Sequence, residues 1–492
     1  MSATIWTRWA AGLAAWVVLG MGPDAASGQT PAPLVSAEDA RADLDDLYSG
    51  LEAAHYDLFA HRPRAEYDRL YNELRGQLAE PVTRAVAAAT FQRFAAWGRV
   101  GHARLDAPNI AFVEHLQSGG KILPLFIRVD QGRVLLTATA DPEGRFTAGT
   151  EVVTLDGEPA SLWLERLGGW VSAERPYMSH ALMEESFPVL LWFARPDASG
   201  IEVAGRRADG TEIQGLVSAV TFAEYRAIQT DWPTPSIATD FSAREFRLFE
   251  DGVAYLRPGP FQEHPDAATG GQGFVAFVDE SLSRAVASGA TDLIIDLRNN
   301  AGGDNSFSDP MIAWFADRPF RFASSFTLRA SPQAKAWYRR PGQEPPAADG
   351  IVARLAAAEA AQPDGTRYPF DLELNVPRAE PRFHGRVHVL VNRHSYSNAA
   401  SAAALIQDYG FGEIIGEETA DVPTTYASIM SFDLPRTGFT VTFPKSRIVR
   451  PNGDETLVGV IPDRALPREP IGVAEDVMLE QARAAIRSGR GS

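Results

Sequence analysis

From Val253 onward the chain alternates short, almost wholly apolar runs with helical stretches, and this alternation restricts the fold more than any other feature. Val253–Leu256 reads as a strand, Gly273–Ala287 as a helix, and Asp292–Leu297 as a strand buried on both faces. Val387–Val391 is another such strand, followed by a helix over Ala399–Asp408, and Glu413–Gly416 is a third. Strands of this kind joined through helices need right-handed crossovers, so they imply a mainly parallel sheet with both faces covered. Ser431–Phe443 reads as a hairpin, and the Pro- and Ala-rich stretch 333–380 interrupts the pattern as an insertion or lid.

A chain of 492 residues exceeds what one core holds, so further domains are expected before this one. Over 36–110 the apolar spacing is helical: Leu44, Leu47, Leu51, then Tyr67, Leu70, Leu74, then Phe91, Phe94. Over 120–225 the texture is β-rich, with Leu125–Val129 and Val134–Thr139 alternating around a turn. A strand, an Asp156-Gly157 turn and the helix Leu162–Leu167 follow. Ile201–Ala204 and Ile213–Val217 would complete a small, partly open barrel. The expected fold is α/β and multidomain, with the α/β unit over 240–470 and a C-terminal helix and tail over 471–492.

Arg8 and the apolar stretch Trp9–Met21, followed by small residues at Ala26-Ser27-Gly28, read as a cleaved export signal over 1–28. The run is too short for a membrane span and no other segment suffices, so a periplasmic or secreted protein is expected. A net charge of −17 argues against a nucleic-acid partner. With no cysteine, thiolate catalysis and disulfides are excluded. Only three lysines occur: Lys121, Lys335 and Lys445.

His394-Ser395-Tyr396-Ser397-Asn398 joins a buried strand to a helix. A serine there is either a helix cap or a nucleophile beside backbone N–H groups that stabilise an oxyanion. Asp296-Leu297-Arg298-Asn299-Asn300-Ala301-Gly302-Gly303 leaves another buried strand at its carboxyl end, where open α/β sheets place their sites. It is either a tight turn or a backbone cradle for a ligand.

Together these segments resemble the S41 family of serine peptidases, the C-terminal processing and tricorn-like proteases. Asp296–Gly303 is similar to the family's Asp-Leu-Arg-x-Asn-x-Gly-Gly signature. Ser397-Asn398 with Asp408-Tyr409-Gly410 and Gly416 is similar to its nucleophile helix and next strand. Val458–Asp463 resembles its closing run, and Gly149–Pro159 its PDZ-like domain. The resemblance implies a ClpP/crotonase-like core, peptide or protein substrates, no metal or organic cofactor, and an oxyanion hole from Asn398 with Gly302 or Gly303. In one branch of the family a lysine about 25 residues beyond the serine is the base; that register falls near Val422, where no lysine stands. Lys445 comes later, on a strand where it is expected to face solvent, and Lys121 sits in a loop. The tricorn-like branch uses histidine and glutamate, which match Gly101-His102-Ala103-Arg104-Leu105 and Glu455, with Asp454 as a competitor. The serine preceding that histidine in tricorn is Gly101 here, and the acid often found three after the nucleophile is Ala400.

The remaining candidates are secondary. His394 is an alternative base and Ser395 an alternative nucleophile. His384 and His388 lie on a strand rather than a helix face, and His55 and His61 are expected to be structural. The expected activity is peptide-bond hydrolysis by Ser397, His102 and Glu455. The alternative is a peptide- or ligand-binding protein that keeps the fold without the chemistry.

Overall fold

The computed structural model describes residues 34–139, 141, 143–229, 243–269, 271–340 and 350–489. The expected export signal lies outside these residues. Among them no helix is long and apolar enough to cross a membrane.

The α/β unit is a six-stranded sheet in the order Glu245–Leu248, Val253–Arg257, Asp292–Asp296, Arg386–Val391, Glu413–Gly416, Arg464–Ala465. The first pair is antiparallel and the rest are parallel. Asp292–Asp296 is buried at every position because helices cover both faces. Phe274–Ala287 and Asn398–Tyr409 supply Leu282, Ala285, Ala402 and Leu405 to one face; Val477–Gly489 covers the other with Leu479 and Ile486. Beyond Asp296 the chain turns on a buried ion pair. Arg298, wholly buried, binds Asp296 at 2.6 Å and also reaches Asp476 at 2.8 Å. An arginine enclosed with so many acceptors is held in one geometry, so the Asp-Leu-Arg run works as an anchor for the loop that follows.

In the N-terminal part, Ser36 caps the helix Ala37–Ala54 by accepting the Asp39 N–H. The apolar positions read from the sequence are buried there, but they do not close a core alone. Met430, Val441 and Phe443 from the hairpin Thr425–Asp433/Thr440–Val449 pack among them. Asp43, fully buried, accepts the Thr437 N–H and hydroxyl, each at 2.6 Å, at the tip of that hairpin. Helical part and hairpin therefore share one core. The same hairpin pairs with Arg104–Leu105 and with Ser325–Arg329.

Between these parts lies an antiparallel sheet running from Leu125–Asp130 to Glu212–Ser218. The sequence reads as β-rich here with one short helix, which the structure places at Ala160–Gly168, yet this part also holds the 19-residue helix Pro176–Ala194. This helix buries Met183, Phe187 and Leu191 against the sheet while Val189 and Trp192 enter the helical core. A helix buried on several sides has no polar face, which removes the 3.6-residue signature. The stretch 333–380 carries the helix Ile351–Ala361 and adds the strand Arg367–Pro369 to Ser325–Arg329.

Candidate active site

Ser397 occupies the step from strand to helix with φ 52° and ψ −123°. A residue with a Cβ enters this region at a cost of roughly 1–3 kcal/mol, so its surroundings must hold it there. They do so through the backbone. The Ser397 N–H donates to Asp421 Oδ2 at 2.5 Å, and the Tyr396 N–H to the Asn300 carbonyl at 2.9 Å. Ser395 is fully buried; its hydroxyl donates to the Leu297 carbonyl at 2.7 Å and accepts the Asn392 N–H at 3.1 Å. Ser395 is thus a fastener between the two strand ends. The Ser397 hydroxyl makes no capping bond; its Oγ lies 3.2 Å from His102 Nε2.

His102 follows the helix Arg84–Ala96 and is only 3% exposed. Burial, assisted by the Arg104 guanidinium and weakly opposed by the Tyr426 backbone carbonyl, lowers its pKa to about 3. The imidazole is neutral at neutral pH, as a proton acceptor must be. Its Nδ1 is buried and makes no well-formed hydrogen bond. The ring packs on Tyr396 with centroids 5.4 Å apart, and the Tyr396 hydroxyl donates to the Gly101 carbonyl at 3.2 Å. Gly101 is closely surrounded: a Cβ there would lie 2.4 Å from Met178 Cε and 3.2 Å from Glu174 Oε2 and the Tyr396 hydroxyl.

The glycine pair lies against the same turn. Gly302 (φ 85°) approaches so closely that a Cβ would lie 2.6 Å from the Tyr396 carbonyl oxygen and 2.7 Å from the Asn398 nitrogen. Gly303 (φ 135°) packs on the Phe261 carbonyl. The Gly302 N–H already donates to Asn300 Oδ1 at 2.8 Å. The Gly303 N–H has no acceptor among the described residues. Asn398 is the first helical residue, so its N–H lacks an intrahelical partner. Its side chain is buried, with Nδ2 donating to Ser308 Oγ at 3.0 Å.

Glu455 is not brought to His102. Its half-exposed carboxylate forms an ion pair with Arg447, the cross-strand neighbour of Tyr426. Asp454 is no nearer, since its carboxylate closes on Thr456. Lys445 departs from expectation: it is 1% exposed rather than facing solvent, because the stretch 333–380 packs over it. Its Nζ donates to the Tyr338 hydroxyl at 2.7 Å and lies 3.9 Å from buried Glu359; burial lowers its pKa to about 8. Val422 is buried, and Lys121 sits on the short strand Lys121–Ile122.

Four of the other histidines have polar partners. Burial depresses His394, but bonds of 3.1 Å to Glu184 and Glu185 outweigh it and raise its pKa to about 10. His388 bridges Asp292 and Glu413, each at 3.1 Å, and His384 meets Glu380 at 2.7 Å. His55 accepts the Asp57 N–H. Ala400 is wholly buried. Two acids that the sequence did not flag complete the site. Asp421 holds the Ser397 N–H, and Glu174 Oε1 accepts the Gly101 N–H at 3.1 Å. Asp421 directly precedes Val422 and stands in no local motif.

No curated protein matches the chain. Among solved structures, mature CPAF complexed with lactacystin superposes with a TM-score of 0.62 at 15% identity, covering 92% of this chain and 97% of that one. Another structure of mature CPAF gives 0.58 at 17% identity, over 92% and 96%. At such identity the likeness is one of fold, and it extends across all the parts described above. Residues 252–466 match the model of Peptidase family S41, a stretch that contains Ser397 and both glycines and leaves His102 outside it.

Proposed function

We propose that the protein is an exported serine peptidase whose nucleophile is Ser397 and whose general base is His102. The observation that carries this reading is the 3.2 Å approach of His102 Nε2 to Ser397 Oγ across 295 residues of sequence. Ser397 Oγ attacks the substrate carbonyl carbon and its proton passes to Nε2. The N–H groups of Gly303 and Asn398 receive the oxyanion; Gly302 shapes the wall, its own N–H being taken by Asn300. The C–N bond then breaks, the proton goes to the leaving amine, and water hydrolyses the acyl-enzyme by the same route.

For Nε2 to accept a proton, the neutral ring must carry its hydrogen on the buried Nδ1. So buried an imidazole is a weak base, and the developing oxyanion supplies the negative charge that stabilises its protonated form. Glu455 acts at one remove: it neutralises Arg447 beside Tyr426. The sheet over 120–225 serves as a PDZ-like module presenting a peptide terminus by strand addition, and the α/β unit as a ClpP/crotonase-like core. The short Ser397–His102 distance favours an enzyme over a binding protein that keeps the fold.

Separate Ser397→Ala and His102→Ala variants, assayed on an unfolded protein, test the scheme. Each should lose at least ~1,000-fold in rate; full activity in either would eliminate it.

A further inference from the structure

Two carboxyl groups beyond Ser397 and His102 reach the reacting pair through the backbone, one to each partner. We infer that Asp421 and Glu174 are the positioning residues of this site, Asp421 fixing the nucleophile and Glu174 the base; this rests on the serine peptidase reading above.

Asp421 is 1% exposed and spends each oxygen on one amide: Oδ2 accepts from Ser397 at 2.5 Å and Oδ1 from Val422 at 2.8 Å. The Ser397 N–H therefore points away from the oxyanion position, and the turn at φ 52° is locked. A charge-assisted bond of this kind contributes roughly 1.5–3 kcal/mol, comparable to the strain it opposes. Without it, Ser397 can relax to an ordinary backbone conformation and its Oγ leaves the imidazole.

Glu174 comes from the segment before the helix Pro176–Ala194 and accepts the Gly101 N–H through Oε1. Its Oε2 is buried beside Met178 and the Tyr396 hydroxyl and has no hydrogen-bond partner. Met178 and Tyr396 close the other sides of Gly101. The base loop is thereby clamped from the middle region of the chain while the nucleophile turn is clamped from the core.

The charged and titratable groups facing this pair are Arg104, Arg175 and Tyr396, and the Asp421 charge acts in turn on Glu174. Burial, then the Asp421 charge, raises Glu174 to about 8; burial raises Asp421 to about 6 despite its two amide bonds. Glu174 is neutral at neutral pH and ionises on the alkaline side, adding a buried negative charge.

The test is kinetic, with the full chain and two probes: a fluorogenic peptide for kcat and KM, and a fluorophosphonate for the rate of Ser397 labelling. Asp421→Ala should lower kcat and labelling ~100-fold with KM within about threefold, since a displacement near 1 Å costs that much. Asp421→Asn, which keeps only one acceptor oxygen, should fall between and decides the matter if the alanine variant does not fold. Glu174→Ala should lose ~10-fold or more, Glu174→Gln should recover most of it, and both should lack the alkaline decline near pH 8 that the wild type shows. Folded Asp421 variants with unchanged labelling, or losses confined to KM, would overturn the inference while leaving Ser397 as nucleophile. A wild-type chain with no adduct on Ser397 would overturn both it and the serine peptidase reading.

Discussion

Replacing Gly302 by alanine probes how closely the glycine loop must lie against the nucleophile turn. The added methyl would stand 2.6 Å from the Tyr396 carbonyl oxygen and 2.7 Å from both the Asn398 nitrogen and Ser397 Cβ. Two of these atoms are backbone, so no rotamer change relieves the contact. Reaching the 3.4 Å of ordinary contact requires the two loops to part by about 0.8 Å. A positive φ of 85° adds strain of roughly 1 kcal/mol for alanine. A misplacement of this size at a reacting centre costs ~100-fold, or about 2.7 kcal/mol of barrier. The fold should survive, because the Asp296–Arg298 anchor beneath the loop is untouched. The assay compares kcat on a fluorogenic peptide with the melting temperature. A folded Gly302→Ala variant with kcat within threefold of wild type would refute the close-approach account.

Three further outcomes follow from the same geometry. His102 and His55 each have a pKa lowered from 6.5 to about 3, chiefly by burial, so between those values the unfolded chain binds protons that the folded chain does not. The stability contributed by these two imidazoles should therefore be lost as pH drops below 6.5, in the opposite sense to the raised acids Asp421 and Glu174, and kcat/KM should show no acid limb from His102 near 6.5; a limb there that disappears in His102→Ala would contradict this. Glu455→Gln should cost less than ~10-fold in kcat, because the carboxylate contacts Arg447 rather than His102; a loss above ~100-fold would restore it as the direct orienter. Asp43→Ala removes two bonds to Thr437 and should destabilise the chain by roughly 2–4 kcal/mol in urea unfolding, with activity falling in parallel because His102 rides on the helical part.

The alternation of strands and helices from Val253 to Gly416 was readable because fully buried strands leave continuous apolar runs. The segment Pro176–Ala194 was not, since burial on several sides erased the helical period. Ser397, His102 and the glycines stand in local motifs, and the structure sets them side by side. What local motifs do not encode is which N–H is free: only the Asn300 side chain distinguishes Gly302 from Gly303. Lys445 looked solvent-facing for a related reason, its cover coming from Tyr338 and Glu359 about a hundred residues earlier. Asp421 and Glu174 act on backbone amides across long separations, and no spacing rule marks such contacts.

Peptide mapping of the chain after reaction with a fluorophosphonate tests the central claim most directly. A single adduct on Ser397, formed at a rate that collapses in His102→Ala, is the predicted result. An adduct on Ser395 or elsewhere, or a Ser397 adduct formed as fast without His102, would contradict it.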